Sequence, residues 1–234
     1  IQCMEQLYKE LKRKLISVEL KPGEKLSENA ISSDTGMNRP QVRRILTNLS
    51  DEGYLETLPQ KGSVVTKIKK NMIREATHAH LVIEQAILSE LVNKVKNGEQ
   101  LSIVNDYVQK LRTIEKPESE YDMVMLEWGF YNSLAKECNR GYAYSFLDKI
   151  DCDMYRLSSL KYSTYNYNVY NSSLNAWENT MVEIRLMTEQ LKSCQVELLT
   201  MICSSLSHGI CSNRYNGFLV TMDTLEGIYR EYFE

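Results

Sequence analysis

Residues 72–96 run without a single Gly or Pro, and Ile73, Leu81, Ile83, Ala86, Ile87, Leu88, Leu91 and Val95 recur within them mostly at helical intervals. That run reads as one long helix, closed by Asn97-Gly98. The same period continues. Leu101 to Ile114 is a second amphipathic helix ended by Lys116-Pro117, a third spans about Glu118 to Glu137 and stops at Asn139-Arg140-Gly141, and a fourth spans Tyr144 to about Leu160. Tyr162 to Asn175, rich in Tyr, Asn and Ser, reads as a loop or a bent helix. Helices from about Ala176 to Lys192 and from Gln195 to Leu206 follow, His208-Gly209 breaks the chain, and a last apolar piece lies around Leu219 to Phe233. With only 10 Gly and 4 Pro in 234 residues, and all four prolines in the first half, residues 71–234 read as an antiparallel helical bundle.

The first seventy residues follow a different plan. Leu7, Tyr8, Leu11 and Leu15 make residues 4–17 an amphipathic helix, and Lys21-Pro22-Gly23-Glu24 supplies turn chemistry. A short helix starts after Ser27, a good N-cap, and stops near Gly36. In the next helix Asn38 is the cap, Gln41 completes a capping box, Pro40 sits in the first turn, and Val42, Ile45, Leu46 and Leu49 form the buried stripe. Tyr54 to Leu58 and Ser63 to Ile68 read as two strands of a hairpin around Pro59-Gln60-Lys61-Gly62. Three helices and a hairpin make residues 1–70 a winged helix-turn-helix, so the chain as a whole is mainly α.

Charge agrees with that division. The formal net charge is −3, but residues 1–70 carry 13 Lys and Arg against 9 Asp and Glu, a balance of +4, which leaves 15 against 22, or −7, for the rest. A basic head on an acidic body suits a polyanion partner for the head. Arg39 and Arg43, one turn apart near the start of the third helix, offer forked donors for guanine edges and phosphates, and Lys61 with Gly62 at the hairpin tip suits a wing against the DNA backbone. For any one of these residues a solvated helix face or an ordinary turn would suffice; the ordered set points to double-stranded DNA. Signal-peptide and membrane-spanning segments are absent, and six Cys without a Cys-x-x-Cys pair read as reduced thiols, which together place the chain in the cytoplasm. Ile1, where an initiator Met would stand, suggests that a short leader precedes the sequence.

Leu20-Lys21-Pro22-Gly23-Glu24-Lys25-Leu26-Ser27-Glu28, Gly36 through Leu46, Leu49-Ser50-Asp51-Glu52-Gly53-Tyr54-Leu55 and Pro59 through Val65 together resemble the amino-terminal domain of GntR-type transcriptional regulators. The resemblance implies operator binding as a homodimer, with Arg39 and Arg43 contacting bases and phosphates and Gly62 at the wing tip. The candidate DNA-contacting set is Arg39, Pro40, Gln41, Arg43, Arg44, Lys61 and Gly62. Arg44 stands where that family usually has an acidic residue, and Pro40-Gln41 replaces a small residue followed by Pro, so an operator sequence does not transfer.

The bundle in turn resembles the FCD domain, the effector-binding and dimerisation domain of the FadR subfamily. His80 to Glu84 occupies the place of an Arg and a Glu in that domain's first helix, and Leu126 through Leu134 followed by Cys138-Asn139 has the form of its Asp-x-x-Phe-His segment. Many such domains hold a metal with one carboxylate and three histidines. Here the register puts Glu127 at the carboxylate but Tyr131 at the first histidine, and the later pair falls near Trp177 and Leu199, where no histidine stands. The only histidines are His78, His80 and His208, and the first two diverge on a helix, so neither a metal nor another cofactor is expected.

His80, Glu84, Glu127, Tyr131 and Trp177 are then either the walls of an aromatic, metal-free effector pocket or plain core packing. Tyr162, Tyr165, Tyr167 and Tyr170 read as surface or dimer contacts, or alternatively as a ligand lid. The functional expectation is a DNA-binding regulator that works as a homodimer, has no membrane partner, and is modulated by a small molecule such as an organic acid. A constitutive DNA-binding dimer without an effector is the alternative. A helical enzyme is a further one, against which stand the missing Gly-rich phosphate loop, nucleophile arrangement and metal cluster.

Overall fold

The computed structural model describes residues 2–58, 62–165, 176–194 and 222–234. The head opens with helix α1 (Gln2–Ile16), whose Leu7, Leu11 and Leu15 are buried. A turn stabilised by Glu24 N–H donating to the Lys21 carbonyl at 2.9 Å leads to a two-residue strand, β1 (Lys25–Leu26). Helix α2 (Glu28–Thr35) is capped by Ser27, whose hydroxyl accepts from Ala30 N–H, and ends on Gly36 in the left-handed region at φ 69°. Helix α3 (Arg39–Asp51) has both bonds of the expected capping box, Asn38 accepting from Gln41 N–H at 3.0 Å and Gln41 accepting from Asn38 N–H at 3.3 Å. Its buried side chains are Val42, Ile45, Leu46 and Leu49, the stripe read from the sequence.

Strands β2 (Leu55–Leu58) and β3 (Gly62–Val65) form the hairpin in antiparallel register from Leu55↔Val65 to Leu58↔Gly62. The sheet has three strands in the order β1-β3-β2, because Lys25 and Leu26 pair with Val64 and Ser63. Two residues after a turn carry no period, so β1 could not be read in advance. Ser63 to Ile68 is strand only as far as Val65; beyond it Thr66 N–H donates to the Tyr54 carbonyl and the chain leaves the sheet.

Helix α4 (Lys70–Lys96) spans about 40 Å at ~1.5 Å per residue. Helices α5 (Ser102–Arg112) and α6 (Glu120–Glu137) follow, and α6 is the axis of the body, packed against α4, α5, the short α7 (Gly141–Tyr144), α8 (Cys152–Tyr165) and α9 (Ala176–Lys192). At the α5 and α6 contact Tyr107 lies over Gly129 and donates to the Leu126 carbonyl at 3.1 Å; a Cβ on Gly129 would stand 2.0 Å from the phenol oxygen. The last described helix is α10 (Met222–Ile228).

The expected single helix from Tyr144 to about Leu160 is instead three pieces. α7 ends at Tyr144, a 3₁₀ turn covers Leu147–Lys149, and α8 begins only at Cys152. Tyr144, Leu147 and Ile150 recur every three residues, a spacing that serves a 3₁₀ turn as well as an α-helix, and packing of buried Tyr144 and Leu147 decides between them. The Tyr162 reading is also corrected. α8 continues through Tyr162, which is 1 % exposed because its hydroxyl finds a carboxylate in the core, so composition misjudged a residue that tertiary contacts bury. The side chain of Tyr165, the residues Tyr167 and Tyr170, and the expected helix from Gln195 to Leu206 lie outside the described residues.

One buried apolar cluster contains both head residues, such as Leu15, Leu46 and Val65, and body residues, such as Leu91, Phe130 and Leu191. Between them the segment Thr66 to Lys69 is held on two sides. The fully buried Arg156 of α8 donates to the Thr66 and Lys67 carbonyls and to Asp153, and Asp153 accepts from Lys69 N–H at 3.2 Å. On the other side Ile68 bridges in parallel to Phe233, with Ile68 N–H donating to the Tyr232 carbonyl at 2.8 Å, and Lys70 pairs with Glu226 of α10 at 2.9 Å.

Candidate functional site

The N-terminal end of α3 projects from the head. Arg39, Pro40, Arg43 and Arg44 are exposed and Gln41 is half-buried, as follows from a helix whose other face carries the buried stripe. The Arg43 guanidinium is bidentate to Glu28 of α2, with Nε to Oε1 at 3.0 Å and Nη2 to Oε2 at 2.9 Å, and that hydrogen bonding holds the Glu28 carboxyl below its ordinary range. Arg39 has no carboxylate within ion-pairing distance among the described residues, so its fork is open to solvent. Glu28 was not singled out from the sequence; it lies fifteen residues from Arg43, and only the packing of α2 on α3 joins them. Arg44 also borders an open groove of about 660 Å³ between α1 and α3, together with Met4, Tyr8, Asn48 and Asp51. Gly62, at φ 82°, begins β3 in the left-handed region, and a Cβ there would stand 3.1 Å from the Leu26 carbonyl oxygen; Lys61 lies outside the described residues.

A capped helix presenting arginines beside a β-hairpin wing, with a helical body behind it, defines the class: a winged helix-turn-helix transcriptional regulator. Residues 4–65 match the family described as bacterial regulatory proteins, gntR family. The match lies in the head, and with the relatives below it supports a DNA-binding transcriptional regulator of that type. Among similar proteins, the HTH-type transcriptional repressor RspR of Escherichia coli K12 is 22% identical over 158 residues, 68% of this chain and 69% of that protein. An HTH-type regulator of Streptomyces ambofaciens is 31% identical over 85 residues, 36% of each chain. Of the solved structures, E. coli McbR/YncC superposes with a TM-score of 0.65 at 16% identity over 89% of this chain and 95% of that one. A GntR regulator from Rhodococcus sp. RHA1 gives 0.63 at the same identity and coverage, and both are likenesses of fold.

The second group of expected residues lies in the body, and the structure brings some of it together. His80 is fully buried between two carboxylates: Nδ1 is 3.1 Å from Glu84 Oε1, and Nε2 is 2.8 Å from Asp151 Oδ1. Tyr144 donates to the same Glu84 oxygen at 3.2 Å, and the Trp128 ring meets the imidazole edge-on at 4.9 Å. Burial alone would push the imidazole down, but the hydrogen bonds to Asp151 and Glu84 outweigh it and lift it to about 9. Burial pushes the Asp151 carboxyl up, with the imidazolium opposing. The two carboxyl groups thus favour the charged imidazolium over the neutral ring.

Glu127, Tyr131 and Trp177 are buried too, each 5 % exposed or less, but in other company. Glu127 accepts from the Tyr162 hydroxyl at 2.6 Å and has Lys161 Nζ at 3.7 Å; Trp177 Nε1–H donates to the Ile114 carbonyl at 3.2 Å; Tyr131 packs on Phe130. His78 faces solvent, as the divergence of residues two apart on a helix requires. Among the described residues no group of three or more His, Cys, Asp or Glu could hold a metal ion, and Glu84 and Asp151 take opposite nitrogens of His80 rather than converge with it. The spacing of His80 and Glu84 was legible as one helical turn; Asp151, 71 residues from His80, carried no signal. Among the described residues no helix is long and apolar enough to cross a membrane.

Proposed function

We propose that the protein binds a double-stranded DNA operator in the cytoplasm as a homodimer, through Arg39, Pro40, Gln41, Arg43 and Arg44 of α3 and through Lys61 and Gly62 of the wing. The observation that carries this reading is the capped N-terminal end of α3, exposed, with the Arg39 fork open and the Arg43 guanidinium positioned by Glu28. Residues 1–70 then act as the DNA-binding unit and residues 71–234 as the dimerisation and effector-binding unit, of FCD type within the FadR subfamily. A small-molecule effector in the body shifts the spacing of two heads, which matters because operator half-sites sit at fixed turns of the duplex. His80, Glu84, Glu127, Tyr131 and Trp177 are the residues through which the body would sense it, as a regulator and not as an enzyme.

Binding of a fragment from upstream of the protein's own gene, titrated at two salt concentrations, tests the head. Sequence-selective binding whose log affinity falls with log salt by about 0.9 per phosphate contacted is the expected result, and binding that ignores sequence would sink the reading. A constitutive dimer without an effector is the second reading, favoured by the near-complete burial of all five candidate pocket residues. Native mass spectrometry of the purified dimer separates the two: a co-purifying metabolite supports the sensor, and an empty body whose DNA affinity no metabolite alters supports the constitutive dimer.

A further inference from the structure

Arg13, Arg43, Arg140 and Arg156 each pair with a carboxylate, Glu19, Glu28, Glu90 and Asp153 respectively. The other described arginines do not, and two of them, Arg112 in the last turn of α5 and Arg185 on α9, line one cleft. Its volume is about 210 Å³, and its floor is apolar: Val108 of α5 with Met181, Val182 and Ile184 of α9. The two helices are tied together at this end by Trp177, whose indole donates to the Ile114 carbonyl just past α5, so the cleft is formed before anything enters it.

Two like charges brought to one notch repel each other and gain nothing from each other's presence. The pairing of the two also stands against the charge of the body, since residues 71–234 have a formal balance of −7. We propose that the cleft between α5 and α9 is a binding site for a small amphipathic carboxylate, with the guanidiniums of Arg112 and Arg185 on the carboxylate and the apolar floor under its hydrocarbon part. A guanidinium fork matches the two oxygens of a carboxylate. A phosphate would meet the same forks but has no hydrocarbon part to cover the floor of Val108 and Ile184. The volume equals that of about seven liquid waters at ~30 Å³ each, enough for a chain or ring of roughly eight heavy atoms and too small for a nucleotide or a peptide helix. This site is separate from the His80 cluster and does not depend on the DNA reading, since binding is read on the protein alone.

Sodium hexanoate, with six carbons and two oxygens, is the probe, titrated into the full chain by calorimetry at low ionic strength beside hexylamine and inorganic phosphate. Hexanoate binding that weakens about tenfold in Arg112→Gln and in Arg185→Gln, and disappears in the double variant, with hexylamine silent and phosphate much weaker, is the expected result. Both side chains are exposed, so the variants should keep the parent's thermal midpoint, which the same samples verify. Hexanoate binding unchanged in the double variant, or phosphate binding as well as hexanoate, would overturn the proposal. So would a double variant that falls from dimer to monomer in sedimentation while hexanoate binds neither protein, because the cleft would then belong to a second copy of the chain.

Discussion

If His80 is an imidazolium locked between Glu84 and Asp151, the stability of the fold must fall as that proton is lost. In the unfolded chain the imidazole titrates near 6.5, whereas in the folded protein it is lifted to about 9. A tenfold change in proton affinity is about 1.4 kcal/mol, so the difference amounts to about 3 kcal/mol of stability. A raised value in the folded state means that this contribution is fully present below pH 6.5 and is lost as pH rises through about 9. Asp151, also raised, acts in the same direction at more acid pH. Cys138 and Cys152, pushed by burial up to about 11 and about 12, also weaken the fold at alkaline pH, but they do so whether or not His80 is present.

The measurement is urea unfolding at half-unit intervals from pH 6 to pH 9.5 for the parent and for His80→Gln, with the difference between them isolating the imidazole from the thiols. The parent should lose about 3 kcal/mol more than the variant across that window, the steepest part lying between 7 and 9. Asp151→Asn, which keeps the imidazole but removes one anion, should flatten the curve partway. Parallel curves for parent and His80→Gln would refute the reasoning, since they would mean that His80 folds neutral.

Three other changes test separate parts of the structure. Gly129→Ala sets a methyl 2.0 Å from the Tyr107 hydroxyl and should cost about 1 to 3 kcal/mol in chemical denaturation, while adding Tyr107→Leu should recover part of it; an Ala variant as stable as the parent would contradict the α5 and α6 packing. Arg156→Met strands the buried Asp153 carboxylate and the Thr66 and Lys67 carbonyls, and should cost about 3 to 5 kcal/mol, with the double variant Arg156→Met/Asp153→Leu less damaged than the single one by thermal unfolding. Arg39→Ala and Arg43→Ala should each weaken selective operator binding by about 1 to 3 kcal/mol in a fluorescence titration, and intact selectivity in both would remove α3 from the interface.

Helices α1 to α6 and α9 were legible to within a few residues because each carries a buried stripe or local caps, α2 relying on its caps and α4 and α5 on their stripes. Asn38 and Gln41 specify the start of α3 locally, and Gly36 specifies the stop of α2, whatever lies beyond them. The break between Tyr144 and Cys152 was not legible, since a spacing of three suits two kinds of helix and only contact with α4 and α6 selects one. The candidate site divides the same way. Arg39 and Arg43 follow from helical phase, as do His80 and Glu84, whereas Glu28, Asp151 and Tyr162 acquire their roles from residues 15, 71 and 35 positions away.

By itself, then, the sequence determined the elements and the faces they bury, because capping, period and turn chemistry act over one to four residues. Tertiary structure alone decided which charges are answered from far along the chain. It set Glu28 on Arg43, enclosed the imidazole of His80 between two carboxylates, buried Arg156 against the segment joining head to body, and left Arg112 and Arg185 facing one cleft without a partner among the described residues. The reason is physical. Beyond the one helical turn over which spacing pairs charges, a charge meets only the partner that folding brings within hydrogen-bonding distance.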